Sequence, residues 1–195
     1  MKITEEQLQS FCAKEDIRFC LETPYIQDGY VVASNGHICI RTTGEFPSAV
    51  TREDVKPPNI TGLIDKTLAA LDGVDAIAIP GLPPFVPCSS CNGSGREFVC
   101  VVCAGEGEFD GDGCEECGGA GSVAKNTGIN RDCWFCGGSG EDRGNPVMCG
   151  DGWFARRYLA MIAALPRATI KTNGESGCAY FSFDGGDGAV MPIRK

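Results

Sequence analysis

Apolar and polar positions alternate with helical period at the start of the chain. Leu8, Phe11 and Cys12 follow Thr4-Glu5-Glu6-Gln7, which reads as a capping box, and Ile3 and Leu8 are placed for a hydrophobic staple. This predicts a helix running to about Glu15. Ile17–Leu21 then reads as a strand. Tyr30–Ser34 and His37–Arg41 flank Asn35-Gly36, a strong hairpin signal. Ile60, Leu63, Ile64, Leu68 and Leu71 mark a second helix ending at Gly73, and Val74–Ile79 reads as a strand. Pro80, Pro83, Pro84 and Pro87 make a stiff stretch after it.

Regular patterning resumes at Pro146–Cys149, a short strand. Asp151 is placed to cap a helix over about 153–165, with Phe154, Tyr158, Leu159, Ile162 and Leu165 inward and Pro166 ending it. Three strands follow, Ala168–Thr172, Ala179–Phe183 and Ala189–Ile193. Asn173-Gly174 and Asp184-Gly185-Gly186 supply their turns. Helix–strand–strand–strand thus occurs twice, and neither half has enough apolar surface to stand alone. The expectation is one discontinuous α+β domain over residues 1–87 and 144–195, with residues 88–143 inserted as a loop-rich module.

The inserted stretch changes the picture. Of 13 cysteines, eight fall in four CxxC pairs, each continuing as CxxCxGxG: CSSCNGSG at 88–95, CVVCAGEG at 100–107, CEECGGAG at 114–121 and CWFCGGSG at 133–140. Two cysteines three apart in a tight turn put both sulfurs on one side of the backbone, which is half of a tetrahedral four-cysteine site. The trailing glycines let the chain reverse and bring amides toward the sulfurs. Eight thiolates imply two zinc ions in closed, structural sites. A thioredoxin-like redox pair fits less well, because no βαβ pattern surrounds the repeats. An iron–sulfur site fits less well than paired knuckles.

Residues 88–140 resemble the cysteine-rich domain of DnaJ-type co-chaperones. The resemblance implies that the first repeat pairs with the fourth and the second with the third. One zinc then takes Cys88, Cys91, Cys133 and Cys136, and the other Cys100, Cys103, Cys114 and Cys117. No J-domain His-Pro-Asp triplet occurs in the chain, so the resemblance does not extend to co-chaperone activity.

The flanking segments resemble one domain of the bacterial DNA-polymerase sliding clamp. Gly29-Tyr30-Val31-Val32-Ala33-Ser34-Asn35-Gly36-His37 is similar to the clamp's strand–turn–strand. Arg157-Tyr158-Leu159, Leu165-Pro166 and the terminal Val190-Met191-Pro192-Ile193-Arg194 match further short motifs. The resemblance implies a clamp-like pseudo-repeat body. A ring, the family's working form, would require this chain to form a homo-oligomer.

Charge narrows the partners. Lys and Arg number 17 against 26 Asp and Glu, a net charge of −9 at pH 7. Eight thiolates and two divalent ions lower this to about −13. Direct nucleic-acid binding is therefore not expected, since phosphate contacts are made mostly by Lys and Arg. No apolar run reaches the roughly 18 residues of a membrane span, and Met1-Lys2-Ile3-Thr4-Glu5-Glu6 lacks a signal-peptide core. The expected setting is the cytoplasm, a host's if the chain is encoded by a phage or mobile element. Trp134 and Phe135 lie inside a knuckle; either one packs between the zinc sites or the two form a partner-binding patch.

Catalytic chemistry is sparse. His37 is the single histidine and reads as structural, and there is no phosphate-cradling GxxxxGK[ST]. Asp110/Asp112 and Asp184/Asp187 could bind a hard cation, but such residues in glycine-rich turns more often serve the turn. Cys12, Cys20, Cys39, Cys149 and Cys178 read as small core residues. The expectation is a non-catalytic zinc-binding protein-interaction module in or on a nucleic-acid-processing assembly. The alternatives are an acidic inhibitor, a nucleic-acid mimic or anti-defence protein acting on a host nuclease or other DNA or RNA enzyme, and a chaperone or thiol-disulfide factor.

Overall fold

The computed structural model describes residues 3–14, 21–50, 57–124, 128–142, 146–174 and 177–193. In chain order its elements are α1 (Glu5–Ser10), β1 (Tyr25–Gln27), β2 (Tyr30–Ser34), β3 (Ile38–Thr42), α2 (Ile60–Ala70) and β4 (Ile77–Ala78). Next come β5 (Arg96–Val99), β6 (Glu108–Phe109), β7 (Asp112–Gly113), β8 (Ser122–Val123) and β9 (Asn130–Asp132). The last are β10 (Pro146–Cys149), β11 (Gly152–Ala155), α3 (Arg156–Ala163), β12 (Thr169–Lys171), β13 (Ala179–Phe183) and β14 (Gly186–Val190). They form a mixed α and β structure of antiparallel sheets with few helices. The chain divides into two compact units, Met1–Pro83 with Pro146–Lys195, and Pro84–Asn145.

The first unit is built on a seven-stranded sheet in the order β1-β2-β3-β14-β13-β12-β4. Two meanders, β1-β2-β3 and β12-β13-β14, meet where β3 pairs antiparallel with β14, Ile40 opposite Gly188. Period-2 alternation decides which side chain goes to which face. Val31, Ala33, Ile38, Ile40, Ile170, Ala179, Phe181, Phe183 and Val190 pack with Leu8 and Phe11 of the α1 segment and with Tyr158, Leu159 and Ile162 of α3. Their neighbours Val32, Cys39 and Ala189 face the other way, against Ile60 and Ile64 of α2. Gly188 lies under the first face because Phe181 lies over it: a Cβ there would run into the Phe181 ring and the Cys39 carbonyl.

The capping box forms as the pattern predicts. Thr4 N–H donates to Gln7 Oε1 at 2.9 Å, and Gln7 N–H donates to Thr4 Oγ1 at 3.2 Å. The helix nevertheless stops at Ser10 rather than continuing toward Glu15. Cys12 N–H donates back to the Gln9 carbonyl, three residues away, and Ala13 N–H donates to the Leu21 carbonyl instead of into the helix. Of the predicted strand Ile17–Leu21, only Leu21 is described, and it is not in a strand; residues 17–20, Cys20 among them, lie outside the described residues.

Several boundaries move for local reasons. The β2–β3 loop takes three residues, not two, because Asn35 Oδ1 accepts the amides of His37 (3.0 Å) and Ile38 (3.2 Å) and draws His37 out of the ladder. The second helix ends at Ala70, three residues short of Gly73. Of the predicted Val74–Ile79 strand only Ile77–Ala78 pairs, ahead of Pro80. Asp151 does not cap a helix. It sits in the two-residue turn of the β10–β11 hairpin, where Cys149 pairs with Gly152 and Val147 with Phe154. The α3 N-cap is Ala155, with no side-chain cap bond. The last strand is Gly186–Val190 rather than Ala189–Ile193. Pro192 has no N–H to give a ladder, and Ile193 N–H donates to the Trp153 carbonyl instead.

The second unit has little regular structure. β5 is central in a three-stranded sheet, order β8-β5-β9, and β6 and β7 form a small hairpin. Its buried clusters consist almost wholly of cysteine: Cys88, Cys91, Cys133 and Cys136 in one, and Cys100, Cys103 and Cys114 in the other. An aliphatic core of the size that holds the first unit is replaced here by metal-ligand chemistry.

Candidate metal centres and an apolar cleft

Each knuckle has the same local chemistry. The glycine four residues after the second cysteine turns its amide onto that cysteine's sulfur: Gly95 to Cys91 (3.2 Å), Gly107 to Cys103 (3.3 Å), Gly121 to Cys117 (3.2 Å) and Gly140 to Cys136 (3.2 Å). Such donors stabilise a thiolate. At Gly95 the turn needs φ +72°, and a Cβ would collide with the Gly138 carbonyl; Gly140 meets the Gly93 carbonyl in the same way. The CxxCxGxG string is therefore a backbone requirement as well as a ligand pattern.

The knuckles interlock in pairs through their backbones. Cys88 N–H donates to the Gly140 carbonyl (2.8 Å) and Cys133 N–H to the Gly95 carbonyl (2.9 Å), joining the first knuckle to the fourth. Cys100 N–H donates to Gly121 (3.0 Å) and Cys114 N–H to Gly107 (2.8 Å), joining the second to the third. The sulfurs follow: Cys88–Cys133 are 3.9 Å apart, and Cys91–Cys136, Cys100–Cys114 and Cys103–Cys117 are each 3.8 Å apart. Within each group of four, all ligand atoms lie within 4.8 Å of one another. A tetrahedron with Zn–S bonds near 2.3 Å has edges of about 3.75 Å. The two tetracysteine groups are thus positioned to bind two zinc ions, and four thiolates fill each tetrahedron.

The sulfurs are not electrostatically equivalent. Burial raises the Cys91 thiol, but the Gly95 amide and the surrounding cysteine sulfurs outweigh it and bring the pKa down to about 7. At Cys88 burial dominates and pushes the thiol up to about 11. Cys103 and Cys114 repeat the contrast in the second centre.

Trp134 and Phe135 separate in role. Phe135 packs against the first cysteine cluster, while Trp134, 67% exposed, stands edge-on to it with ring centroids 5.8 Å apart. Val101, Val102, Phe109 and Ile129 of the same unit are also exposed. Glu106, Glu108, Asp110, Asp112, Glu115 and Glu116 are exposed around the second centre, and no Lys or Arg occurs from Cys100 to Ala124. The Asp184/Asp187 pair is not a cation site: Arg167 holds Asp184 at 2.6 Å, and Arg41 holds Asp187 at 2.6 Å.

The first unit carries a separate feature that the sequence did not single out. A cleft of about 150 Å³ opens between the β2–β3 loop, α2 and the end of β14. Its lining includes Ile38, Cys39, Leu63, Cys178, Ala189 and Met191, with Ser34 and His37 as its polar members. Met191 N–H donates to the His37 carbonyl at 2.8 Å, which holds the two walls together. The His37 ring stacks on Tyr158 at 6.2 Å, and the Arg157 guanidinium lies 4.7 Å over the same tyrosine ring. Leu63 fits the helical period of core residues, yet it is 41% exposed and lines this cleft. Burial raises the Cys39 thiol to about 12 and also raises that of Cys178, so both line the cleft as neutral thiols at pH 7.

No helix among the described residues is long and apolar enough to cross a membrane. Comparison with protein-family models, with curated proteins and with solved structures finds no match to this chain.

Proposed function

We propose that this chain is a non-catalytic zinc-binding protein-interaction module working in or on a nucleic-acid-processing assembly, with a clamp-like body and a DnaJ-like double-zinc insert. One observation carries the reading: two of the stretches similar to the clamp, 29–37 and 190–194, contribute Ser34, Gly36, His37 and Met191 to a single apolar cleft. A cleft of this size takes one or two apolar side chains of an extended segment, with backbone and His37 groups at its rim to orient it. The metal centres suit the same role. A zinc ion held by four protein thiolates has no position left for substrate and serves to stiffen the fold. Strong acidity suits a phage or mobile-element protein acting in a host cytoplasm.

The test is affinity capture from the host extract with the intact protein, a Leu63→Asp/Met191→Asp variant, and a version with residues 88–143 replaced by a Gly/Ser linker. Both substituted side chains are already exposed, so the fold and the zinc content should survive. At least a tenfold loss of the captured partner is expected in the cleft variant. Full retention there would overturn the reading of the cleft.

A second reading rests on the exposed acids around the second centre, from Glu106 to Glu116. They would suit an acidic inhibitor that occupies the nucleic-acid surface of a basic enzyme. Competition with nucleic acid and strong weakening by salt would support it; binding indifferent to salt would remove it.

A further inference from the structure

Strand β9 enters the first zinc centre, since Cys133 follows Asp132 directly. It also reaches the second. β5 and β9 pair Arg96 with Asp132 and Glu97 with Arg131, so successive ion pairs lie on opposite faces of the ribbon. On one face Arg131 Nε donates to Glu97 Oε1 at 2.7 Å, and its Nη1 donates to the Gly105 carbonyl at 3.3 Å. Gly105 stands two residues after the last cysteine of the second knuckle, the place Gly138 takes in the fourth, and its carbonyl is the one against which Gly121 of the third knuckle packs. Arg131 therefore grips the point where the two knuckles of the second centre interlock.

On the other face Arg96 Nη1 meets Asp132 Oδ1 at 3.0 Å. The Asp132 carboxylate lies against Gly138, where a Cβ would stand 2.6 Å from Oδ2. Gly138 is the middle glycine of the fourth knuckle, and its carbonyl is the one against which Gly95 of the first packs. Two consecutive residues of one strand thus hold equivalent points in the two centres.

The Glu97 side chain is only 6% exposed, and its Oε2 has no hydrogen-bond partner among the described residues. A buried carboxylate in that state depends on its one guanidinium partner. Anything that shifts Arg131 leaves this charge uncompensated. A second centre that loses its metal frees the Gly105 carbonyl to move. That loosens Arg131, and with it the strand that delivers Cys133 to the first centre.

We infer that Arg131, through its contacts with Glu97 and the Gly105 carbonyl, couples the two zinc centres so that metal is taken up and lost in pairs. Thermodynamic coupling of this kind is reciprocal: either centre, when filled, raises the affinity of the other.

Native mass spectrometry of the full-length protein, supplied with one equivalent of zinc, reads the coupling directly. Independent equal sites would put about half of the chains in the one-zinc form. The wild type should instead show mainly zero-zinc and two-zinc chains, with the one-zinc form at about a fifth of the independent value or less. A wild type with half or more of its chains holding one zinc overturns the inference, whatever any variant does. A Glu97→Gln/Arg131→Gln variant removes the ion pair without stranding a buried charge, and Arg131→Lys keeps the charge but shortens the reach to Gly105. Both should raise the one-zinc population at least threefold. If neither changes it, the coupling does not run through Arg131.

Discussion

Cys39 shows how far one residue can be read from its neighbours. An apolar strand context marks it as a core residue, and the structure buries it between the sheet and α2. Burial raises its thiol to about 12 against an ordinary value of 9, and does the same to Cys12. Below pH 9 both thiols are protonated whether the chain is folded or not. Above it the unfolded chain releases protons that the folded core retains, so stability falls progressively from pH 9 toward 12. Urea midpoints at pH 7.5 and 10 should drop less in a Cys12→Ala/Cys39→Ala variant than in the wild type; parallel drops would contradict this. The eight cysteines that the structure gathers into two groups of four stood out in the sequence, because a repeated CxxC spacing is visible without any knowledge of the fold. Glu97 and Arg131 did not. An acid and a base 34 positions apart carry no periodic signal, and only the β5–β9 register sets them opposite each other.

At the scale of elements, strands with clean alternation were legible and junctions were not. β2, β10 and β13 match their predicted spans because each is bounded by turn residues. The segment from Gly152 to Ala155 misled because Phe154 fits both periods: it continues the helical spacing of Tyr158 and Leu159, yet is buried as a strand residue opposite Val147. The attachment of α2 to the sheet lay beyond sequence reasoning. Arg41 on β3 makes a bidentate contact with Asp187 on β14 (2.6 and 2.9 Å) and reaches Asp65 on α2 (2.7 Å), while Tyr180 donates to Asp187 at 3.1 Å. Both Arg41 and Asp187 are largely buried, so Asp187→Ala leaves a half-paired guanidinium under the helix. We expect a loss of about 3 kcal/mol. Amide exchange in α2 should accelerate more than in β10 and β11; uniform acceleration would show that the contact does not specifically hold the helix.

At the scale of the whole molecule, two units are stabilised in different ways. One buries aromatic and aliphatic side chains on both faces of a seven-stranded sheet, and the other has cysteine where a core would be. The break in composition at the cysteine repeats falls within the second of these units. What composition could not supply was the sheet order, because the joining of β3 to β14 brings together residues almost 150 positions apart. The cleft was hidden for the same reason, since its walls come from both ends of the chain. All of this presumes that metal supplies the core the second unit lacks, with zinc binding worth on the order of 10–16 kcal/mol in small peptides. Elemental analysis of the purified full-length protein, calibrated by amino-acid analysis, tests that most directly. The account predicts two zinc ions per chain that survive exhaustive dialysis at neutral pH; a chain that stays folded with no bound metal, or that carries iron in place of zinc, would contradict it.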